Sequence, residues 1–436
     1  MFFKYYSYIL RTLPFIVVGF LASVSYAKTD RLENAIGKAV FDRFWVSSPS
    51  STQATDGLGP LYNARSCAEC HVRTGRGTIT IKNFDENDKP LAMHPSSLVR
   101  IGLLNGKTHP IYGNQLQPFA TVGIRGEVSI KIRWHKKIEK YPDGTKITLR
   151  YPEVIFDNWQ YGDPKNFGYS IRVTPSVRGL GYIDSLPEQE VIKLSDPKDK
   201  NKDGISGRVA WRRDVVTGKK MIGKFGWKSE MTTIYGQSAG AFYNDVGIST
   251  IHLSKGYGDC TMIQSGCRNA PDGNSPQHEG VEVGDKLLKP LVFYLKNQRL
   301  RTVKITKQNL EAYNLFNEVG CAKCHTPRFV NNDKTITVLY SDLLVHDMGD
   351  ALASNLPVKS GLGGDVSGRE WRTSPLWGIK RSTENKLKSV YLHDGRAENI
   401  EQAILWHGGE AKNVIEKFKI LPKNLRKKLI SFVENL

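Results

Sequence analysis

Apolar residues return every four positions at Leu32, Ile36, Val40 and Phe44, inside a polar stretch from Asp30 to Trp45. That spacing lines one face of a helix and predicts one there. A loop rich in Ser, Thr, Gly and Pro follows from Ser47 to Pro60. Between Thr121 and Arg150 the period falls to two: Val128, Ile130, Ile132 and Trp134 alternate with polar residues, Tyr141-Pro142-Asp143-Gly144 supplies a turn, and Ile147, Leu149 and Tyr151 resume the alternation. The pattern predicts a β-hairpin set into a helical protein. From Pro152 to Gly280 the chain is dense in Gly, Pro and Asn, which predicts long ordered loops broken by short helices near residues 188–193 and 231–243. Helical spacing returns at Leu310, Tyr313 and Phe316, and again at Leu425, Leu429, Phe432, Val433 and Leu436. The expected fold class is therefore mainly α.

A chain of 436 residues is too long for one small core and predicts two or three compact units. Residues 1–27 read as a signal peptide: Lys4 and Arg11 carry positive charge, an apolar run extends from Leu10 to Ala22, and Ser25 and Ala27 are the small residues a signal peptidase requires. An uncleaved anchor is the competing reading, disfavoured because the run is shorter than the ~20 residues that span a bilayer. Export to the periplasm would also suit thiol chemistry that a reducing cytosol opposes.

Six cysteines fall into three pairs, Cys67/Cys70, Cys260/Cys267 and Cys321/Cys324, and a histidine follows directly in the first and last, His71 and His325. In Cys-x-x-Cys-His two thiols on one turn form thioethers to the vinyl groups of one haem, and the next residue offers an imidazole to its iron. Two copies predict two covalently bound haem c groups, with His71 and His325 as proximal ligands. Zinc would call for further Cys/His pairs at short spacing, which are missing. Cys260/Cys267 lacks the histidine and reads as a disulfide closing the polar loop Gly258 to Asn274, with a metal or redox-active thiol pair as the alternative. The net charge of +19 is spread along the chain; it suggests an acidic electron-transfer protein as partner and no nucleic acid.

Several further motifs carry a resemblance. Gly57-Leu58-Gly59-Pro60-Leu61-Tyr62-Asn63-Ala64, Tyr112-Gly113-Asn114-Gln115-Leu116-Gln117, Leu344-Val345-His346-Asp347-Met348-Gly349, Trp371-Arg372-Thr373-Ser374-Pro375-Leu376-Trp377-Gly378 and Tyr391-Leu392-His393-Asp394-Gly395-Arg396-Ala397 resemble the di-haem oxidoreductases called thiol oxidoreductase-like. The resemblance spans the chain beyond its leader and extends, more distantly, to bacterial di-haem cytochrome c peroxidases and MauG-type enzymes. It implies two cytochrome c-like haem domains: an amino-terminal one over residues 28–300, enlarged by loops and the hairpin, and a carboxy-terminal one over residues 301–436. It also implies that one haem relays electrons while the other meets peroxide or another small substrate.

In the peroxidases a methionine fourteen residues after the His-Asp-Gly histidine closes the carboxy-terminal iron; here that position is His407. The resemblance thus implies a His325/His407 centre, with His346 and His393 as neighbours of the macrocycle. The peroxidases also carry a Gln and a Glu ten residues apart for proton transfer, and Gln117 with Glu127 reproduce the separation; an ordinary hydrogen-bonded pair is the competing reading. His94, beside Met93, either closes the first iron or faces solvent. Related peroxidases bind calcium between their haems, and Asp199, Asn201 and Asp203 imitate the start of a calcium loop, although the twelfth position is Ala210 where a Glu is expected. Among the alternatives, a di-haem carrier without its own substrate and a haem-dependent oxygenase stay open.

Overall fold

The computed structural model describes residues 30–52, 54–79, 89–300, 303–331, 334–379 and 390–436; residues 1–27, where a signal peptide is expected, lie outside them. Among the described residues no helix is long and apolar enough to cross a membrane.

The chain is 28% helix and 22% strand, so the expectation of a mainly α protein is corrected: helices and many small sheets alternate. Two cytochrome c-like domains are not shown either. The physical reason lies in pairing between distant segments. The strand Ser97–Leu103 pairs antiparallel with Phe167–Val173, placing Arg100 opposite Ser170, and on its other edge with Gln115–Leu116. Neither partner is near enough in sequence for a turn signal to announce the sheet.

The predicted hairpin forms, and it is longer than the alternation suggested. Ser129–Lys140 and Lys146–Asp157 pair in unbroken register from Ser129↔Asp157 to Lys140↔Lys146. Near its base Ile132 and Trp134 pack with Ile79, Ile171 and Val173. Its tip belongs to a different core, where Tyr141 and Leu149 join Phe316, Phe418, Leu429 and Phe432 of the carboxy-terminal helices. Arg426 fixes the tip by donating to Asp143 and lying 3.9 Å from the centre of the Tyr141 ring. The hairpin is thus a strut joining the two cores.

A third and larger core also draws on the carboxy-terminal part of the chain, since Leu339, Leu343 and Leu344 pack there with Phe225, Phe242 and Leu291. Residues 30–42 are helical as expected; Val40 and Ile36 pack there, while Leu32 and Phe44 are exposed. Short helices occur at Glu188–Ile192 and Ile234–Ala241, and the expected later helices span Leu310–Val319 and Lys423–Glu434.

Candidate functional site: two cavities with a common wall

The first attachment turn is built by its caps. Ser66 Oγ accepts the amide of Glu69 at 3.1 Å, and Glu69 Oε2 accepts the amide of Arg65 at 2.8 Å, so the short helix Cys67–Cys70 starts with its free donors satisfied. The second turn is delivered differently: Gly320, at φ 105°, ends the helix Leu310–Val319 and swings the chain into Cys321. A side chain at that φ would be strained, so glycine is required.

Each turn opens on a large cavity, of about 1980 Å³ at Cys67, Cys70 and His71 and about 1400 Å³ at Cys321, Cys324 and His325, open mouths included. Burial, and then the nearby Asp245 carboxylate, pushes the Cys67 thiol up to about 12; burial pushes Cys321 to about 12.

In the second cavity His325 Nδ1 lies 3.0 Å from the Tyr340 carbonyl, and His407 Nδ1 lies 2.7 Å from the Ala403 carbonyl. Nδ1–H donation to those carbonyls leaves Nε2 of each ring as a lone-pair donor, and neither Nε2 has a hydrogen bond among the described residues. Burial, and then the nearby His407, lower His325 to about 4. His407 reaches this place because the helix Ile400–Trp406, capped by Asn399, ends directly before it.

His346 and His393 also line this cavity. His346 lies between Asp342 Oδ2 and Glu410 Oε2, each at 2.8 Å. Burial opposes its charge, but the carboxylates outweigh burial and hold its pKa well above the ordinary value. Cys324, Asp342 and His346 place donor atoms within 4.8 Å of one another. Gly207 packs directly on the His346 ring, where any side chain would collide. His393 stacks on Trp371 with centroids 3.6 Å apart, and burial lowers its pKa to about 3.

Among the described residues the first cavity has one imidazole on its wall, His71, whose pKa burial lowers to about 4, and one thioether, Met231. Its polar wall is gathered by the three-stranded sheet: Leu98 and Arg100 share a face of one strand, with Arg172 and Gln115 from its neighbours. Gln115 Nε2 donates to Asn63 Oδ1 and Asp245 Oδ1, both at 2.7 Å, and Arg100 Nη1 donates to Gln115 Oε1 at 3.3 Å. Burial raises Asp245 to about 6 against the opposing bond from Gln115.

Gln117 and Glu127 do meet, but away from the cavity wall. The Gln117 amide donates to Glu127 Oε2 at 2.6 Å, Gln264 Nε2 donates to Glu127 Oε1 at 2.5 Å, and Gln117 Nε2 donates to the Asn244 carbonyl at 2.8 Å. These bonds tie the Cys260–Cys267 loop, whose sulfurs lie at bonding distance, to the segment carrying Gln115. His94 Nδ1 contacts Ser96 Oγ at 2.7 Å and accepts the Ser96 amide at 3.0 Å, and His94 is absent from the wall. In the acidic loop Asp199 and Asn201 accept backbone amides, and Asp203 Oδ2 pairs with Lys323 Nζ at 2.9 Å.

Two cavities, each with a Cys-x-x-Cys-His turn and uncharged buried donors on its wall, define a protein that carries two large prosthetic groups. The chain belongs to the di-haem oxidoreductase family: the family model described as "Di-haem oxidoreductase, putative peroxidase" matches residues 21–115 and 117–436. No curated protein and no solved structure is found to match it. The donor set fits haem, with a thiol pair and an imidazole on the wall of each cavity amid largely apolar lining.

Sequence reasoning missed Asp245, Arg100, Arg172 and Gln115 as a group. Gln115 lies in a quoted motif, but nothing local marks Asp245, which comes from 130 residues away.

Proposed function

We propose that this protein is an exported, periplasmic haem-dependent oxidoreductase with peroxidase-like chemistry. Haem is attached covalently at Cys67/Cys70 and Cys321/Cys324, with His71 and His325 as proximal ligands and His407 closing the second iron. Bound haem supplies iron that accepts electrons one at a time and passes them to an oxygen-containing substrate.

One observation carries this reading: the two cavities are unequal. The wall of the second places His407 with His325, whereas that of the first holds His71 alone among imidazoles and an Asp245/Gln115/Arg100 cluster. Reduction of peroxide to two waters consumes two electrons and two protons. Asp245, with a pKa near the working pH, is suited to take and return a proton, and Gln115 holds its Oδ1 in place. Trp227 stands on the wall of both cavities and offers an aromatic ring between them. An acidic carrier protein is the proposed electron donor, given the net charge of +19.

Met231 on the first wall favours a second reading, a carrier cytochrome in which its thioether closes the first iron. Spin resonance and absorption spectra of the oxidised and half-reduced holoprotein separate the two. The enzyme reading expects high-spin iron in at least one redox state, and two low-spin haems in every state would overturn it.

A further inference from the structure

Arg76 belongs by sequence to the first attachment segment, five residues past His71, and Arg372 to the strand Glu370–Arg372 near the carboxy terminus. Both nevertheless line both cavities, together with Trp227, Ser374 and Pro375. Arg76 reaches across to Tyr391 of the second cavity, its guanidinium carbon 5.8 Å from that ring's centre. Arg372 is held in the partition by backbone contacts: its amide donates to the Trp227 carbonyl at 2.9 Å and its Nε to the Gly226 carbonyl at 2.9 Å.

Neither guanidinium forms an ion pair with a carboxylate among the described residues. Their partial exposure faces the cavities, and burial still lowers the pKa of both, Arg372 to about 10. Glu230 and Asp342 act on Arg372 only from beyond ion-pair contact; a buried cation with no carboxylate in contact is costly, and its position in a haem-sized cavity names the anion that would relieve the cost. Each haem brings two carboxylates, its propionates.

We infer that Arg76 and Arg372 form one carboxylate-binding site shared by the two cavities, binding propionates of both haems, so that one pair of cations sets both reduction potentials. This rests on the di-haem reading above. A positive charge near a haem favours the ferrous state, so removing a shared one lowers both potentials together. An arginine serving one haem alone would move one.

The test is a reductive titration of holoprotein, each haem followed by its own absorption bands, in wild type, Arg76→Gln, Arg76→Lys and Arg372→Lys. Arg76 holds no backbone carbonyl among the described residues, so Arg76→Gln should fold even if changes at Arg372 do not. With two haems per chain verified by mass and haemochrome spectrum, Arg76→Gln is expected to lower both potentials by at least a tenfold change in each one-electron equilibrium, ~59 mV. The two lysine variants should stay near wild type. Two bound haems with only one potential shifted, or neither, overturn the shared site and leave the proposed function standing. Fewer than two haems in wild type would overturn both. Acetate as a probe should leave the wild-type potentials unchanged; a saturable shift would mean that the arginines hold a dissolved carboxylate, and would overturn the propionate assignment.

Discussion

Gln115 Nε2 donates a 2.7 Å hydrogen bond to Asp245 Oδ1 on the polar wall of the first cavity, joining residues 130 positions apart. The bonded partner is an amide that stays neutral, and the Arg100 guanidinium favours the carboxylate without bonding to it, so the carboxyl can change protonation without breaking an ion pair.

Asp245→Asn should therefore lower peroxide-dependent turnover by about 100-fold or more, within the usual range for a lost general acid–base group. Gln117→Leu, away from the wall, should leave turnover near wild type. With Asp245 near 6 and the carboxylate as the active form, wild-type turnover should fall below that pH, and the fall should vanish in Asp245→Asn. Initial rates from pH 4.5 to 8 decide it; equal losses in the two variants would remove Asp245 from its role.

Replacing His407 with Gly should abolish the low-spin signal of one haem, because its Nε2 is the free donor in the second cavity. His407→Met should keep that haem low-spin and raise its potential, since thioether ligation favours reduced iron more than imidazole does. An unchanged spectrum in His407→Gly would sink the ligand assignment.

Arg150 ties the hairpin to the His-Asp-Gly turn: Nε and Nη2 donate to the Arg396 and Gly395 carbonyls, each at 3.2 Å, and the guanidinium lies over the Trp134 ring. Arg150→Met leaves those carbonyls without their donor in a buried place. It should cost roughly 2–4 kcal/mol in chemical denaturation and speed amide exchange along Lys146–Asp157. Wild-type exchange rates there would count against the strut.

Glu282 is buried, its oxygens accepting the amides of Ser249 at 2.5 Å and Gly273 at 2.8 Å, and burial raises its pKa from 4.5 to about 7 despite those bonds. The folded chain thus binds more protons here than the unfolded chain between those values. Stability from this group is greatest below the unfolded pKa, declines as pH rises through the window and levels off above about 7. The full span is worth roughly 3 kcal/mol. Melting temperatures from pH 5 to 8 should fall less for Glu282→Gln than for wild type, and parallel curves would contradict the linkage.

Much of the chemistry was legible in one dimension. Cys-x-x-Cys-His marks itself because thioether spacing and the following imidazole must share one turn, and the two long strands of the hairpin marked themselves by alternation. His407 was named by counting from His393, and it lines one cavity with His325 although 82 residues separate the two.

What only the tertiary structure decided is the meeting of residues far apart in the chain. The mixed α and β character comes from strands whose partners lie up to 76 positions away, as Ser97 does from Val173, and Gln115 meets Asp245 through that sheet rather than through spacing. Ten residues between Gln117 and Glu127 proved to describe a buried brace beside the disulfide loop. Spacing carries information only when one turn, one helix or one hairpin connects the residues. The polar wall, the common partition of Arg76, Trp227 and Arg372, and the exchange of core residues depend on packing between elements, which no local pattern encodes.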